Sequence, residues 1–164
     1  MKVLKNKKIR LIWSILCQSS SIDQETNSVS IFNSVEQLKI KFDIPKDVEL
    51  RKKLEEGSEK QRLTTPVRVE IITLLQKLDN KKENKSEIEI SFIDPKGEEL
   101  LKQSHPVVIP ADKQRFRDRV KFNGLPITES GEYIFKLKIK ENGEEDYEEL
   151  DLLPLQVTID NILR

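Results

Sequence analysis

The sequence predicts an all-β protein, an antiparallel two-layered sandwich of about seven to nine strands. Two observations predict this fold class. Apolar and polar residues alternate with a period of two through most of the 164 residues, as they do along strands that bury one face. The stretch 120–135 (VKFNGLPITESGEYIF) also combines a strand, a corner and a second strand. Such a passage carries a chain from one sheet of a sandwich to the other.

The first half of the chain contains three predicted strands and one ambiguous segment. Residues 10–18 alternate so that Leu11, Trp13, Ile15 and Cys17 share one face. Further strand pieces cover residues 29–32 and 35–42. Residues 43–63 are highly charged, and within them residues 47–56 are compatible with either a short helix or a charged loop.

The middle of the chain predicts a hairpin, a tight turn and an edge strand. Residues 67–78 and 87–93 both alternate, and the polar, lysine-rich stretch between them predicts an antiparallel hairpin. The sequence DPKG at 94–97 is typical of a tight turn, because proline fixes one backbone angle and glycine tolerates the exit. Residues 106–110 lie between two prolines, which suits an edge strand.

The last three strands have the clearest patterns. Residues 114–122 direct Phe116, Val120 and Phe122 inward, with Asp118 as the odd polar member of that face. Residues 132–140 direct four apolar side chains inward and three lysines outward, and Asn-Gly at 142–143 predicts a turn. The apolar positions of residues 147–160 change parity, which predicts a β-bulge near Leu153-Pro154.

The corner stretch resembles the passage between strands E and F of immunoglobulin-like domains, which ends in an acidic residue, glycine, tyrosine and cysteine. Here the matching residues are Glu129, Gly131, Tyr133 and Phe135. The resemblance implies that the Tyr133 hydroxyl bonds the backbone a few residues upstream. Phe135 replaces the cysteine, so the usual disulfide between the sheets cannot form.

The wider layout resembles an uncharacterised bacterial family of small β-sandwich proteins. The matching features are Cys17, the S-x-F-N passage at 30–33, the DP-x-G turn at 94–97 and the GEY strand at 131–133. No established activity follows from this resemblance.

Composition restricts the partners and the compartment. Basic and acidic residues number 29 each, so the formal net charge is zero. This balance gives no general reason to expect a nucleic acid or a membrane as partner. No apolar run approaches the ~20 residues of a membrane span. The single cysteine favours a reducing compartment, so we expect a cytoplasmic protein.

The length suits a basic flexible arm over residues 1–9 followed by one domain over residues 10–164. The lysines of the arm, the apolar residues 11–16 and Cys17 also resemble a short lipoprotein signal. An exported lipoprotein is therefore the alternative, although Leu16 is bulky where such a cleavage site requires a small side chain.

A basic stripe is the most distinctive surface feature, and it consists of Arg115, Arg117, Arg119 and Lys121. These residues alternate along one strand and could contact an acidic partner or phosphates. Aromatic side chains for stacking on bases are missing between them, since the phenylalanines of this strand point inward. A solvated face paired with acids is the simpler alternative.

The remaining candidates for chemistry favour structural roles. His105 has no second histidine or nearby cysteine with which to bind zinc, and we expect it in a surface loop. Cys17 on an alternating strand favours a buried, inert thiol. The acidic run at 141–151 lacks calcium-loop spacing, and the lysines of the preceding strand can pair with it. No metal site, cofactor or catalytic residue is therefore expected.

The function that fits these observations is a non-enzymatic protein-binding or assembly module with an unknown protein partner. One alternative is a module that binds nucleic acid or another polyanion through the basic arm and the stripe. Another is a secreted or lipid-anchored adhesin-like module. An enzyme would instead require two loop carboxylates that converge in a pocket.

Overall fold

Nine β-strands form all of the regular structure in the described part of the chain. The structure is a computed structural model that describes residues 8–44, 63–79 and 81–163. Within these ranges no helix is long and apolar enough to cross a membrane. The possible helix at 47–56 and most of the predicted arm lie outside the described residues. The strands are β1 (Ile9–Ile22), β2 (Val29–Ser34), β3 (Gln37–Ile44), β4 (Leu63–Lys77), β5 (Asn84–Ile93), β6 (Glu99–Ile109), β7 (Arg115–Ile127), β8 (Gly131–Glu141) and β9 (Glu148–Leu163).

The strands form two sheets that enclose one hydrophobic core. The four-stranded sheet has the order β2-β1-β4-β7, and the five-stranded sheet has the order β3-β9-β8-β5-β6. All neighbours are antiparallel except β3 and β9. The orders β1-β4-β7 and β9-β8-β5 correspond to A-B-E and G-F-C of an immunoglobulin domain. The predicted two-layered β-sandwich is therefore confirmed, with nine strands in the described ranges and one parallel pair among otherwise antiparallel neighbours.

The segments predicted as a hairpin, 67–78 and 87–93, lie in different sheets, so that prediction was wrong. β4 pairs with β1 and β7, whereas β5 pairs with β6 and β8. The polar stretch between β4 and β5 instead crosses from one sheet to the other. Apolar and polar residues alternate along a strand whether the next strand in sequence pairs with it in the same sheet or packs opposite it in the other sheet. Alternation therefore could not distinguish a hairpin from a crossing between sheets.

β1 contains a bulge that reverses its faces. Leu11 and Trp13 pair with consecutive residues of β4, which leaves Ile12 as the extra residue. Because side chains alternate, one extra residue exchanges the two faces of a strand. Leu11 packs against the core, but Trp13, Ile15 and Cys17 lie on the outer face of the four-stranded sheet. The prediction that these four residues share a face was wrong.

A second bulge resolves the parity change in β9. The pairing of β9 with β8 skips Leu150, which is buried. The predicted position near Leu153-Pro154 was wrong, since both of those residues pair regularly with β8. The extra residue at Leu150 lets the earlier and the later apolar side chains of β9 reach the same core.

The predicted turns and the edge strand are present. The amide of Gly97 donates to the carbonyl oxygen of Asp94 at 2.9 Å, and φ of Gly97 is 84°. Gly143 also has a positive φ of 93°. β6 is an edge strand and contains Pro106, as expected, although it runs over Glu99–Ile109.

Four aromatic rings pack together around Phe135, the residue that replaces the disulfide cysteine in the resemblance to immunoglobulin-like domains. Phe135 of β8 is fully buried, and its ring centroid lies 5.2 Å from that of Phe122 in the opposite sheet. Phe92 of β5 stacks beside both Phe135, at 4.5 Å, and Tyr133, at 5.2 Å. Aromatic pairs at such distances stabilise a core beyond the area they bury.

Tyr133 forms the tyrosine corner that the resemblance implied. Its hydroxyl donates to the carbonyl oxygen of Glu129 at 2.8 Å. The hydroxyl oxygen of Tyr133 also accepts hydrogen bonds from the backbone amides of Thr128, at 2.9 Å, and Glu129, at 3.0 Å. The ring is fully buried, so the hydroxyl fixes the path of the chain as it leaves β7 for β8.

Candidate protein-interaction surface

The basic stripe lies on the outer face of the four-stranded sheet, along its edge strand β7. Phe116, Val120 and Phe122 of β7 face the core, as predicted. The alternate residues Arg115, Arg117, Arg119 and Lys121 therefore face outward, and they pair across to Gln76, Leu74, Ile72 and Glu70 of β4. The lysines of β8 belong to the other sheet, so the two basic sets do not merge into one patch.

The hairpin formed by β1 and β2 folds over this outer face. Ser20 donates to the carboxylate of Glu70 at 2.7 Å. The guanidinium of Arg117 donates to the side chain and carbonyl oxygens of Asn27, in the hairpin turn, at 3.3 and 3.2 Å. Arg117 lies two strands away from β1, so the hairpin must lean across the sheet to bring Asn27 to it.

Two further apolar residues are buried on the outer face of the four-stranded sheet. Cys17 and Ile72 are both 0% exposed, although neither belongs to the main core cluster. Burial raises the pKa of the Cys17 thiol, and the nearby negative charge of Glu70 raises it further. The thiol is therefore protonated at neutral pH, and the predicted burial of Cys17 is confirmed.

Two cations of the stripe contact other residues of the chain, and the other two form no ion pair with a described residue. Arg117 is held by the hairpin, and the Lys121 ammonium lies 3.4 Å from the Glu70 carboxylate. Arg115 and Arg119 are exposed, and neither forms an ion pair with any residue that the structure describes. Within the stripe, these two arginines are therefore the ones that can bind a partner without breaking a contact between described residues.

The outer face of the five-stranded sheet differs because its charges neutralise one another. Glu89 lies between Lys138, at 3.0 Å, and Lys102, at 3.5 Å. Lys136 pairs with Glu149 at 3.7 Å and Lys140 with Glu87 at 4.0 Å. The lysines of β8 thus pair with acids on both neighbouring strands, and not with the acidic run at 141–151 alone. Tyr147 bonds Glu87, which lowers the pKa of Glu87 and raises that of Tyr147 to about 12.

His105 joins the edge strands of the two sheets, β6 and β7. It lies within β6, so the prediction of a loop position was wrong. Its Nε2 lies 3.1 and 3.0 Å from the two carboxylate oxygens of Asp118, the odd polar residue of the inward face of β7. The hydrogen bond to Asp118 raises the pKa of His105, and the charges of Asp118 and Glu87 add to this effect.

Glu141, at the start of the acidic run, has a structural partner. Its buried carboxylate accepts the backbone amides of Lys8, at 2.8 Å, and Ile9, at 3.2 Å. It also lines an open, polar cleft of about 370 Å³ together with Asn84 and Asn142. Across the described ranges, no three His, Cys, Asp or Glu side chains come close enough to hold a metal ion.

Sequence analysis missed a buried lysine. Lys77, at the end of β4, is 1% exposed, and its ammonium donates to the carbonyl oxygens of Pro110 at 2.7 Å and Ala111 at 3.0 Å. The sequence did contain a sign of this burial, because Lys77 has the same odd-numbered parity as the apolar residues of β4 that face the core. Its contacts anchor the connection between β6 and β7, which leads into the basic stripe.

Comparisons with known proteins find only distant structural similarities. No protein-family model matches the chain, and no curated protein does. One similar solved structure is a glycosyl hydrolase family 2 member from Bacteroides cellulosilyticus DSM 14838, with a TM-score of 0.43 and 12% identity over 57% of this chain and 13% of that chain. Another is the C-terminal domain of Wzt, with a TM-score of 0.39 and 18% identity over 59% of this chain and 63% of that chain. The chain thus spans less than two thirds of either, and its resemblance to an uncharacterised bacterial family stays a prediction.

Proposed function

We propose that this chain is a non-enzymatic protein-binding module whose exposed arginines contact an acidic surface of a protein partner. The observation that carries this proposal is the difference between the two outer faces. On the five-stranded sheet, acids and lysines neutralise one another. On β7, Arg115 and Arg119 are exposed without an ion pair to any described residue. Uncompensated surface charges steer a partner of opposite charge and fix its orientation.

A protein partner fits this surface better than a nucleic acid does. Sequence-tolerant binding of single strands combines several basic contacts with aromatic side chains on which bases stack. Phe116 and Phe122 of β7 point to the core, and two of the four basic residues are engaged within the chain. The two exposed arginines suit a localised acidic patch rather than a long phosphate backbone.

Affinity capture from the native cell, with charge-reversed variants, tests the proposal. The test variant is Arg115→Glu/Arg119→Glu, which leaves Arg117 in place because Arg117 holds the hairpin. The matched control is Lys39→Glu/Lys41→Glu, two exposed lysines that alternate along β3 in the other sheet. We expect a protein partner that is recovered with the wild type and the control and lost with the test variant.

Binding of the isolated partner then gives the size of the effect. We expect the arginine reversal to reduce affinity about tenfold or more, mainly through slower association at low salt. Recovery of no protein partner, or equal recovery by both variants, would contradict the proposal. Capture of nucleic acid whose binding falls steeply with salt would favour the polyanion alternative instead.

A further inference from the structure

Among the strands that the structure describes, four lie at sheet edges, and one of these carries no charge and no proline. Charged side chains and prolines on edge strands discourage the addition of another strand. Three of the edges carry them: β3 has Lys39 and Lys41, β6 has Lys102 and Pro106, and β7 has the basic stripe. β2 (Val29–Ser34, VSIFNS) contains neither a charge nor a proline.

The backbone of β2 presents hydrogen-bonding groups on its free side. The amide of Asp23 donates to the carbonyl oxygen of Ser28 at 2.9 Å, so these two residues form a hydrogen-bonded pair. Such pairs alternate along an antiparallel ladder, and the next ones in this register are Ser21 with Ser30 and Ser19 with Phe32. The N–H and C=O groups of Val29 and Ile31 therefore point away from β1.

The exposed side of β2 is also suited to close approach. Phe32 is 50% exposed, and Ser30 beside it on the same side is exposed too. Val29 and Ile31 alternate with them along the strand and are less exposed. A strand added beside β2 would find backbone groups that no other described strand pairs with, and an aromatic ring on the exposed side.

We propose that this edge joins a second copy of the chain, β2 against β2, in an antiparallel, two-fold symmetric dimer. A strand without charges can pair with itself without like-charge repulsion, and the zero net charge of the chain adds none over longer distances. The register centred on Ser30 places Val29 opposite Ile31 of the second copy, and about four new hydrogen bonds form. Phe32 then covers Ser30 of the second copy diagonally. This interface does not use Arg115 or Arg119, so it is independent of the proposed partner surface.

Charge variants at the two-fold axis test this dimer. Sedimentation equilibrium of the full chain, from about 10 µM to about 1 mM, measures its association, because an interface this small should bind weakly. Ser30→Glu places two like charges directly opposite, and Ser30→Lys does the same, so we expect each variant to associate about fivefold more weakly. An equimolar mixture of the two should associate at least as well as the wild type. Ser19→Glu, on the same exposed side but on β1, is the control and should leave association unchanged.

Two results would overturn the dimer. The first is a wild type that remains monomeric at about 1 mM. The second is a mixture of Ser30→Glu with Ser30→Lys that associates no better than either variant alone, since this excludes the pairing of Ser30 with Ser30. Circular dichroism confirms that each variant is folded. Because the edge and the stripe are separate, failure of the dimer would leave the effect of Arg115→Glu/Arg119→Glu on partner binding intact.

Discussion

Removing the hydroxyl of Tyr133 should destabilise the fold by about 2 kcal/mol. The hydroxyl makes three bonds to backbone groups of Thr128 and Glu129, at 2.8 to 3.0 Å. A hydrogen bond contributes about 0.5–1.5 kcal/mol net, and donors left without a partner add to the loss. Tyr133→Phe keeps the ring and its stacking on Phe92, so the loss reports the corner alone. For a domain of this size, about 2 kcal/mol corresponds to a melting temperature lower by about 4–8 °C.

Urea unfolding followed by circular dichroism gives this free energy directly. Tyr147→Phe is the matched control, because it removes the hydroxyl of the other tyrosine, which bonds the Glu87 side chain rather than backbone groups of a corner. We expect the midpoint to fall clearly for Tyr133→Phe and less for Tyr147→Phe, with the slope unchanged in both. A loss below about 0.5 kcal/mol for Tyr133→Phe, or equal losses for the two variants, would refute the argument that the hydroxyl fixes the corner.

Three further predictions concern the sandwich edge, the corner glycine and the hairpin. Because the pKa of His105 is raised above 6.5 in the folded state, its protonated form stabilises the fold below that pH, and this contribution is lost as the pH rises through the raised pKa. His105→Gln should therefore lower the urea midpoint at about pH 5.5 and have little effect at about pH 9; equal effects at both would contradict the ion pair with Asp118. A Cβ at Gly131, where φ is 154°, would lie 2.6 Å from Cγ of Pro95, so Gly131→Ala should cost about 1–3 kcal/mol in urea unfolding. Gly143→Ala, in open space, should cost less, and a neutral Gly131→Ala would argue against this close packing. Arg117→Ala removes the bonds to Asn27 and should speed amide hydrogen exchange in β2, whereas Arg115→Ala should not; identical exchange rates would mean that the arginine does not hold the hairpin down.

Local sequence patterns predicted the strands and the corner because those features depend on neighbouring residues. The outward direction of the basic stripe also followed from parity, since Phe116 and Phe122 fixed the inward face of β7. The two bulges were harder to predict. One extra residue at Ile12 or Leu150 changes which side chains reach the core, and several positions along each strand would have satisfied the pattern equally well.

Contacts between distant segments could not be predicted in this way. Arg117 and Asn27 are 90 residues apart, and nothing near either one indicates that the first hairpin leans over the outer face of its own sheet. The pairing of Asp118 with His105 had a partial signal, a carboxylate on an inward face. Its partner remained unknown because the sequence did not show that β6 and β7 are the adjacent edges of the two sheets.

Because the sheets are joined by ring contacts such as that between Phe122 and Phe135, the stability of this fold does not depend on redox conditions. A disulfide stabilises a domain only where the environment keeps it oxidised, whereas packed rings hold the sheets together equally well with or without a reductant. The chain has one cysteine, so no incorrect cross-link can form within it during refolding. Such a domain can fold without a disulfide oxidase or a disulfide isomerase. Its stability would be the same in a reducing and in an oxidising compartment.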